Sequence, residues 1–142
     1  MLQGKIYSHE HQDSREENTR LFHQMAQKAV DTDPENPDAM SSLSMSYSIK
    51  KDLNKRLETA EKALELNPSH PRSNFSYGQA LTNFGRNEEA LSYVKKAIEL
   101  DPQSKRNYEG FFPLLYIALK DWENAITWLN TAHERSPHSR YF

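Results

Sequence analysis

Six histidines and several adjacent carboxylates are the side chains of this sequence with the chemistry for metal binding or proton transfer. His9 and His11 stand two positions apart, a spacing at which two imidazoles can share a metal ion. No His-x-x-x-His pair, which would place both rings on one helix face, occurs anywhere in the chain. His133 and His138 fall around the end of a predicted helix, where the dipole favours a cation. Surface or turn roles are therefore expected for the histidines, and no metal site. Glu16-Glu17 and Glu88-Glu89 could act as general acid and base only in a buried site. Both pairs are expected at helix starts facing water, where they complement the dipole instead. There is no cysteine, so disulfides, thiolate ligands and cysteine nucleophiles are excluded. Four glycines leave no material for a phosphate-binding loop. The sequence leads to no catalytic residue, no cofactor and no enzyme activity.

The aromatic residues offer a different chemistry. Trp122, Trp128, Tyr93, Tyr108, Tyr116, Phe111 and Phe112 enrich the C-terminal half, and such rings can stack on RNA bases. Asp121 and Glu123 stand among them, no basic stripe accompanies them, and the net charge is -2. Nucleic acid is therefore not an expected partner. Most of these rings are expected in the core, with some forming an exposed patch for a partner or a second copy. No apolar run approaches the roughly 18 residues of a membrane span. The polar stretch Met1–Ser14 does not read as a secretory signal, and together these features favour a cytoplasmic setting without membrane contact. At 142 residues, 36% hydrophobic and 27% charged, the chain is one domain's worth with a hydrated surface.

The elements that must position these residues recur at a fixed period. Pro34, Pro68 and Pro102 are separated by 34 residues each, and Pro137 follows 35 later. Lys28-Ala29-Val30, Lys62-Ala63-Leu64 and Lys96-Ala97-Ile98 keep the same offset ahead of the first three prolines, and Ala132 stands in the corresponding place of the last copy. Lys, Glu, Ala and Leu dominate each segment before a proline, with apolar residues at three- and four-residue spacing, as in Ala90, Leu91, Val94, Ala97 and Ile98. That pattern predicts helices. The proline ends each one, and a second helix opens at Pro37, Pro71 or nearby. Helices are expected over 16–31, 37–49, 53–66, 71–84, 87–100, 105–119 and 122–135. Small Ala63 and Ala97 allow close approach of a paired helix. Leu43, Tyr47, Tyr77, Leu81 and Phe84 are the expected fill.

These residues resemble the tetratricopeptide repeat, a 34-residue helical hairpin. The segment 71–104 matches through Tyr77-Gly78, Leu81, Ala90, Val94, Ala97 and Pro102. The segment 37–70 matches through Met40, Leu43, Tyr47, Ala63 and Pro68. There Ser44 replaces the family's glycine and Arg56 its alanine, so looser packing is expected. The last copy, 105–139, matches in Trp122, Ala125, Leu129, Ala132 and Pro137, but its first helix has one extra residue, Gly110, and Pro113 in mid-course. A kink or a late start near Pro113 is expected there. In the partial or degenerate first copy, 1–36, Leu21, Met25, Ala26 and Ala29 form a plain second helix. Gly4 and Ser8-His9-Glu10-His11 break any apolar stripe before it.

The resemblance implies an all-α, right-handed solenoid of stacked antiparallel hairpins that binds a protein or peptide in a concave groove lined by the first helix of each hairpin. Carried over, the groove positions are Asp38, Ser41, Ser42, Met45, Ser48 and Ile49, then Arg72, Phe75, Ser76, Gln79, Thr82 and Asn83. In the last copy they are Asn107, Gly110, Phe111, Leu114, Ile117 and Ala118. The Lys/Asn clamp with which some members grip a chaperone's terminal carboxylate is missing, because Ser41/Met45, Phe75/Gln79 and Gly110/Leu114 occupy its positions. No helix is expected after Pro137 to cap the last hairpin. With Ile126, Trp128 and Leu129 near that end, the chain reads as cut from a longer protein or as pairing with a second copy, which would be a homo-oligomer through open ends. A narrower similarity, through Gly4-Lys5-Ile6-Tyr7, a break, Glu17–Pro34 and the longer last hairpin, is to the helical tails of bacterial multidomain regulators. Those tails sit behind nucleotide-cyclase or winged-helix domains, which implies a regulatory or scaffold segment of a signalling protein.

Overall fold

A computed structural model describes the backbone of residues 3–135 and the side chains of residues 14–135. Among these residues there are eight α-helices, one 3₁₀ turn (Pro102–Ser104) and no strand, an all-α helical-repeat solenoid class of fold. The helices are α1 (Gln3–Thr32), α2 (Pro37–Ile49), α3 (Leu53–Leu66), α4 (Pro71–Thr82), α5 (Asn87–Leu100), α6 (Lys105–Glu109), α7 (Phe112–Ala118) and α8 (Trp122–Arg135). They form two compact units, Met1–Asn67 with α1–α3 and Pro68–Phe142 with α4–α8.

In the first unit α2 pairs with α3 and also packs on α1. Ala26 and Val30 of α1 meet Ala39 and Leu43 of α2 in a buried cluster flanked by Met40 and Tyr47. In the second unit α4 pairs with α5, α7 pairs with α8, and α5 packs on both α6 and α7. Each hairpin closes over small residues. Ala60, Ala63, Ala90 and Ala97 are fully buried, so the facing backbone comes close and leaves no space for water.

The caps and turns repeat with the same period as the prolines. Asn36 caps α2 by accepting from the amides of Asp38 (2.9 Å) and Ala39 (3.2 Å). His70, 34 positions on, caps α4 by accepting from the Ser73 amide at 3.3 Å. A proline follows each cap at the first helical position, where its missing N–H costs nothing. At the tip of each hairpin one residue turns left-handed: Lys51 (φ 60°), Gly85 (φ 71°) and Lys120 (φ 59°). The next amide then reaches back to a carbonyl inside the preceding helix, Asp52 to Tyr47 (2.9 Å), Arg86 to Leu81 (3.2 Å) and Asp121 to Tyr116 (2.9 Å). Only the middle hairpin uses glycine there.

The expected point of loosest packing is closed. Ser44 is fully buried, and its hydroxyl donates to the Arg56 carbonyl at 2.8 Å. In the next hairpin the corresponding residue is Gly78, where an added Cβ would stand 3.0 Å from the Ala90 carbonyl oxygen. One hairpin crosses through bare backbone, the other through a hydroxyl bonded to the equivalent carbonyl.

Four expectations need correction. α1 is one continuous helix from Gln3, not a short segment starting near residue 16, because Gly4 weakens a helix without stopping it. Glu16 and Glu17 therefore lie mid-helix rather than at a start. Glu17 pairs there with Arg20 at 2.6 Å, while Glu88 and Glu89 do stand in the first turn of α5. Phe84 is 44% exposed beyond the end of α4 and fills no core. Trp122 is 59% exposed, whereas Tyr108 and Phe112 are buried. The interruption expected near Pro113 is present: α6 ends at Glu109, and α7 opens with Pro113 in its first turn. Pro137 and His138, and the side chains of His9 and His11, lie outside the described residues.

Candidate partner-binding surface

In the second unit the loop before α4 is fixed by Asn74. Its fully buried amide donates to the carbonyls of Pro68 (3.0 Å) and His70 (2.8 Å). The neighbouring Phe75 is thereby set half-buried, its ring 4.9 Å from Tyr108 and 5.9 Å edge-on to Phe111. Such tilted and T-shaped contacts suit the ring quadrupoles. Gln79 follows one turn along, half-buried, and Thr82 donates its hydroxyl to the Gln79 carbonyl at 2.8 Å. Arg72 and Asn83 are exposed at the two ends of the helix. Asn107 is exposed on α6, and on α7 Leu114 and Ile117 are 54% and 43% exposed. The break between α6 and α7 thus presents Phe111 beside Phe75 and leaves the apolar side of α7 open.

In the first unit the carried-over positions divide. Ser41 is 1% exposed with its hydroxyl on the Pro37 carbonyl (2.7 Å), so it belongs to packing and not to a groove. Ser42 and Ser48 are half-buried, and Asp38 is exposed. Met45 and Ile49 are 43% and 49% exposed, one turn apart on α2. Ile49 also lines an open pocket of about 440 Å³ with Ser14, Arg15, Asn18, Thr19 and Phe22 of α1. Beneath this face Ser46 donates its hydroxyl to the Leu43 carbonyl (2.7 Å), so the 2.8 Å contact from His23 Nδ1 must be an N–H donated to the Ser46 oxygen. Burial, then the charges of Lys50 and Lys55, push the His23 ring below its ordinary pKa.

One polar arrangement escaped the sequence reading. Glu109, at the end of α6, is 4% exposed and pairs with Arg135 of α8 at 2.7 Å and with Lys105 at 3.2 Å. Burial opposes its charge, but the hydrogen bonds and charges of Arg135 and Lys105 prevail and hold the carboxyl below its ordinary value. It lines a small pocket of about 160 Å³ with Arg106, Gly110, Trp128, Thr131, Ala132 and Arg135. The Gly110/Pro113 interruption was the available signal, since a short α6 ends beside α8 where a straight helix would pass it. Among the described residues no group of three His, Asp or Glu side chains is arranged to hold a metal, and no helix is long and apolar enough to cross a membrane.

Two tetratricopeptide repeat profiles match this sequence, over residues 57–105 and 37–70. Residues 37–105 are tetratricopeptide repeats. No curated protein sequence matches it. Among solved structures, a thermophilic tetratricopeptide protein of Thermus thermophilus, TTC0263, superposes with a TM-score of 0.67 at 18% identity, over 82% of this chain and 65% of that one. YrrB, described as having an unusual peptide-binding site, aligns at 25% identity with a TM-score of 0.64, over 87% of this chain and 63% of that one. The Naa15/Naa10 assembly bound to HypK-THB matches over 99% of this chain and 21% of its own, at 16% identity and a TM-score of 0.64. The chain spans less than two thirds of the length of each. These likenesses bear on fold, and the tetratricopeptide fold is generally a protein-interaction scaffold.

Proposed function

We propose that this chain is a protein–protein interaction module that holds a peptide segment of its partner against the first helices of its hairpins. In the second unit the contact face is Phe75, Gln79, Phe111 and Leu114, with Arg72, Thr82, Asn83 and Asn107 around it. In the first unit it is Met45 and Ile49, with Ser42 and Ser48 beside them. The observation that carries this reading is Phe75, braced by Tyr108 and Phe111 and still half-open to solvent. A rigid aromatic beside exposed aliphatic residues is the composition of a binding hot spot. The peptide-binding site named for YrrB adds support at 25% identity. Peptides selected from a random display library against the folded chain test the reading directly. The double variant Phe75→Ala/Gln79→Ala should weaken the selected peptides by tenfold or more, or about 1.4 kcal/mol. Equal affinity for both proteins refutes the assignment of the face.

A second reading, self-assembly through open ends, has one observation in its favour. Ala63 and Ala97 are fully buried, yet Ala29, at the same offset in α1, is exposed beside Met25, which is 70% exposed. In the second unit Trp122 and Ile126 of α8 are 59% and 58% exposed. Light scattering over a hundredfold dilution separates the readings, because a mass fixed at one chain removes self-assembly. The further reading, a cytoplasmic regulatory segment of a bacterial signalling protein, rests on the sequence similarity alone. It loses part of its support because α1 has no break between Tyr7 and Glu17. The open reading frame that encodes the chain tests it.

A further inference from the structure

The geometry points to the pocket between α6 and α8 as a receptor for one carboxylate group of the partner peptide. It rests on the peptide-binding reading and gives that peptide a chemistry, an acidic residue or a free chain terminus.

The argument begins with charge. Arg106 and Arg135 line the pocket with a single carboxylate, Glu109, which Lys105 also pairs from outside the lining, in a chain whose net charge is -2. Two cations and one anion in the lining leave a local surplus of one positive charge where the molecule as a whole has a negative excess. Glu109 is buried: Arg135 bonds its Oε2, while its Oε1, shut off from solvent, lies 3.2 Å from Lys105 Nζ without a hydrogen bond of its own. Arg106 is exposed and makes no ion pair among the described residues. The Thr131 hydroxyl donates to the Thr127 carbonyl at 2.9 Å. Trp128, packed 4.7 Å from Phe112, adds a donor-only indole to the wall. The pocket is therefore rich in donors, and the oxygens of its one carboxylate are withdrawn from solvent. An anionic acceptor completes it, and a cation is repelled by it.

Size narrows the ligand. Sites for drug-sized molecules and cofactors run from about 300 to 1,000 Å³, and at about 160 Å³ this pocket admits a single short side chain or a chain end. Gly110 keeps the mouth open, since an added Cβ there would meet nothing within 4 Å. Glu109 acts as a positioning residue. It holds the Arg135 guanidinium over the pocket by one Nη1 bond, and the remaining N–H groups of that fork can be shared with a second carboxylate.

The test uses the whole chain and three amidated eight-residue peptides, rich in Glu, Gln or Lys, plus the Gln-rich peptide with a free C-terminal carboxylate. Binding is read by fluorescence anisotropy and by the indole N–H cross-peak of Trp128 in a ¹H–¹⁵N spectrum. The Glu-rich peptide is expected to bind and shift that cross-peak, and the Lys-rich and amidated Gln-rich peptides are not. Binding of the free-acid Gln-rich peptide alone would identify the chain terminus as the carboxylate source. Arg106→Gln, at an exposed position outside the core, should weaken binding about tenfold. Preference for the Lys-rich peptide, or equal binding of the Glu-rich peptide to wild type and Arg106→Gln, overturns the assignment. The outcome is separable from that of the peptide-binding face. Phe75→Ala/Gln79→Ala leaves the Trp128 shift with the Glu-rich peptide intact whichever way the face experiment falls.

Discussion

Gly78→Ala is the substitution whose sign depends most sharply on the hairpin crossing. On helix propensity alone, alanine in the middle of α4 should stabilise the protein by about 1 kcal/mol. The crossing reverses this. The new Cβ would lie 3.0 Å from the Ala90 carbonyl oxygen, 3.1 Å from Val94 Cγ2 and 3.3 Å from Tyr93 Cβ. None of the three is the free end of a flexible chain: one is backbone, one is a β-carbon, and one belongs to a fully buried β-branched side chain. Relief requires α4 and α5 to separate, at an overpacking cost of about 1–3 kcal/mol, near the top of that range when backbone must move. The net expectation is a loss of about 1–2 kcal/mol, which lowers the melting temperature of a unit this size by at least about 4 °C. Both tryptophans, Trp122 and Trp128, lie on α8, so their fluorescence in a urea or thermal scan reports on the second unit. Gly110→Ala is the matched control, with open space around its Cβ and an expected gain of a few tenths to about 1 kcal/mol. If Gly78→Ala stabilises the protein as much as Gly110→Ala does, the close crossing is wrong.

Other outcomes follow from the same geometry. Lys51→Gly and Lys120→Gly each relieve a left-handed turn that costs an L-residue about 1–2 kcal/mol. After the entropy of the added glycine, a gain of about 0.5–1 kcal/mol is expected in denaturant titrations, while Gly85→Lys should lose a similar amount. His23 is held below its ordinary pKa, so its contribution to stability is complete above about pH 6.5 and is lost as pH falls through the folded value. The first unit should weaken on mild acidification, and His23→Gln should flatten that dependence. An NMR titration midpoint for His23 above 6.5 contradicts the burial argument. Glu109 is also lowered, so its contribution is present above the ordinary glutamate range near pH 4.5 and lost below it. Glu109→Gln should cost about 1–3 kcal/mol at neutral pH and remove that acid-sensitive step.

Most helix positions were legible because the signals that set them are local. Prolines at Pro34, Pro68 and Pro102 stop helices by removing a donor, and Pro37 and Pro71 open them, so α2, α3, α5 and α8 lie where the periodicity put them. The alanines at 63 and 97 marked the close crossings for the same reason. α1 was harder to read. Gly4 and the polar run Ser8–His11 carry no apolar stripe, and nothing local states that a helix without one continues back to Gln3. Phe84 was assigned to the core from its hydrophobicity, but α4 ends at Thr82 and leaves it outside. For the partner-binding surface, the resemblance to the repeat family placed Phe75, Met45 and Leu114 among the groove positions. It could not show that Ser41 turns inward to the Pro37 carbonyl, nor that Phe111 joins Phe75. The Glu109–Arg135 pair joins residues 26 apart, through a helix break whose direction no local pattern specifies.

The most direct test of the peptide-binding account is a ¹H–¹⁵N titration of the folded chain with a display-selected peptide, following every backbone amide. The account predicts that the largest shifts fall on Phe75, Gln79, Phe111 and Leu114 in the second unit, with Met45 and Ile49 as the corresponding set in the first. Shifts confined to α5 and the outer side of α8, with Phe75 and Leu114 unmoved at saturation, would contradict it.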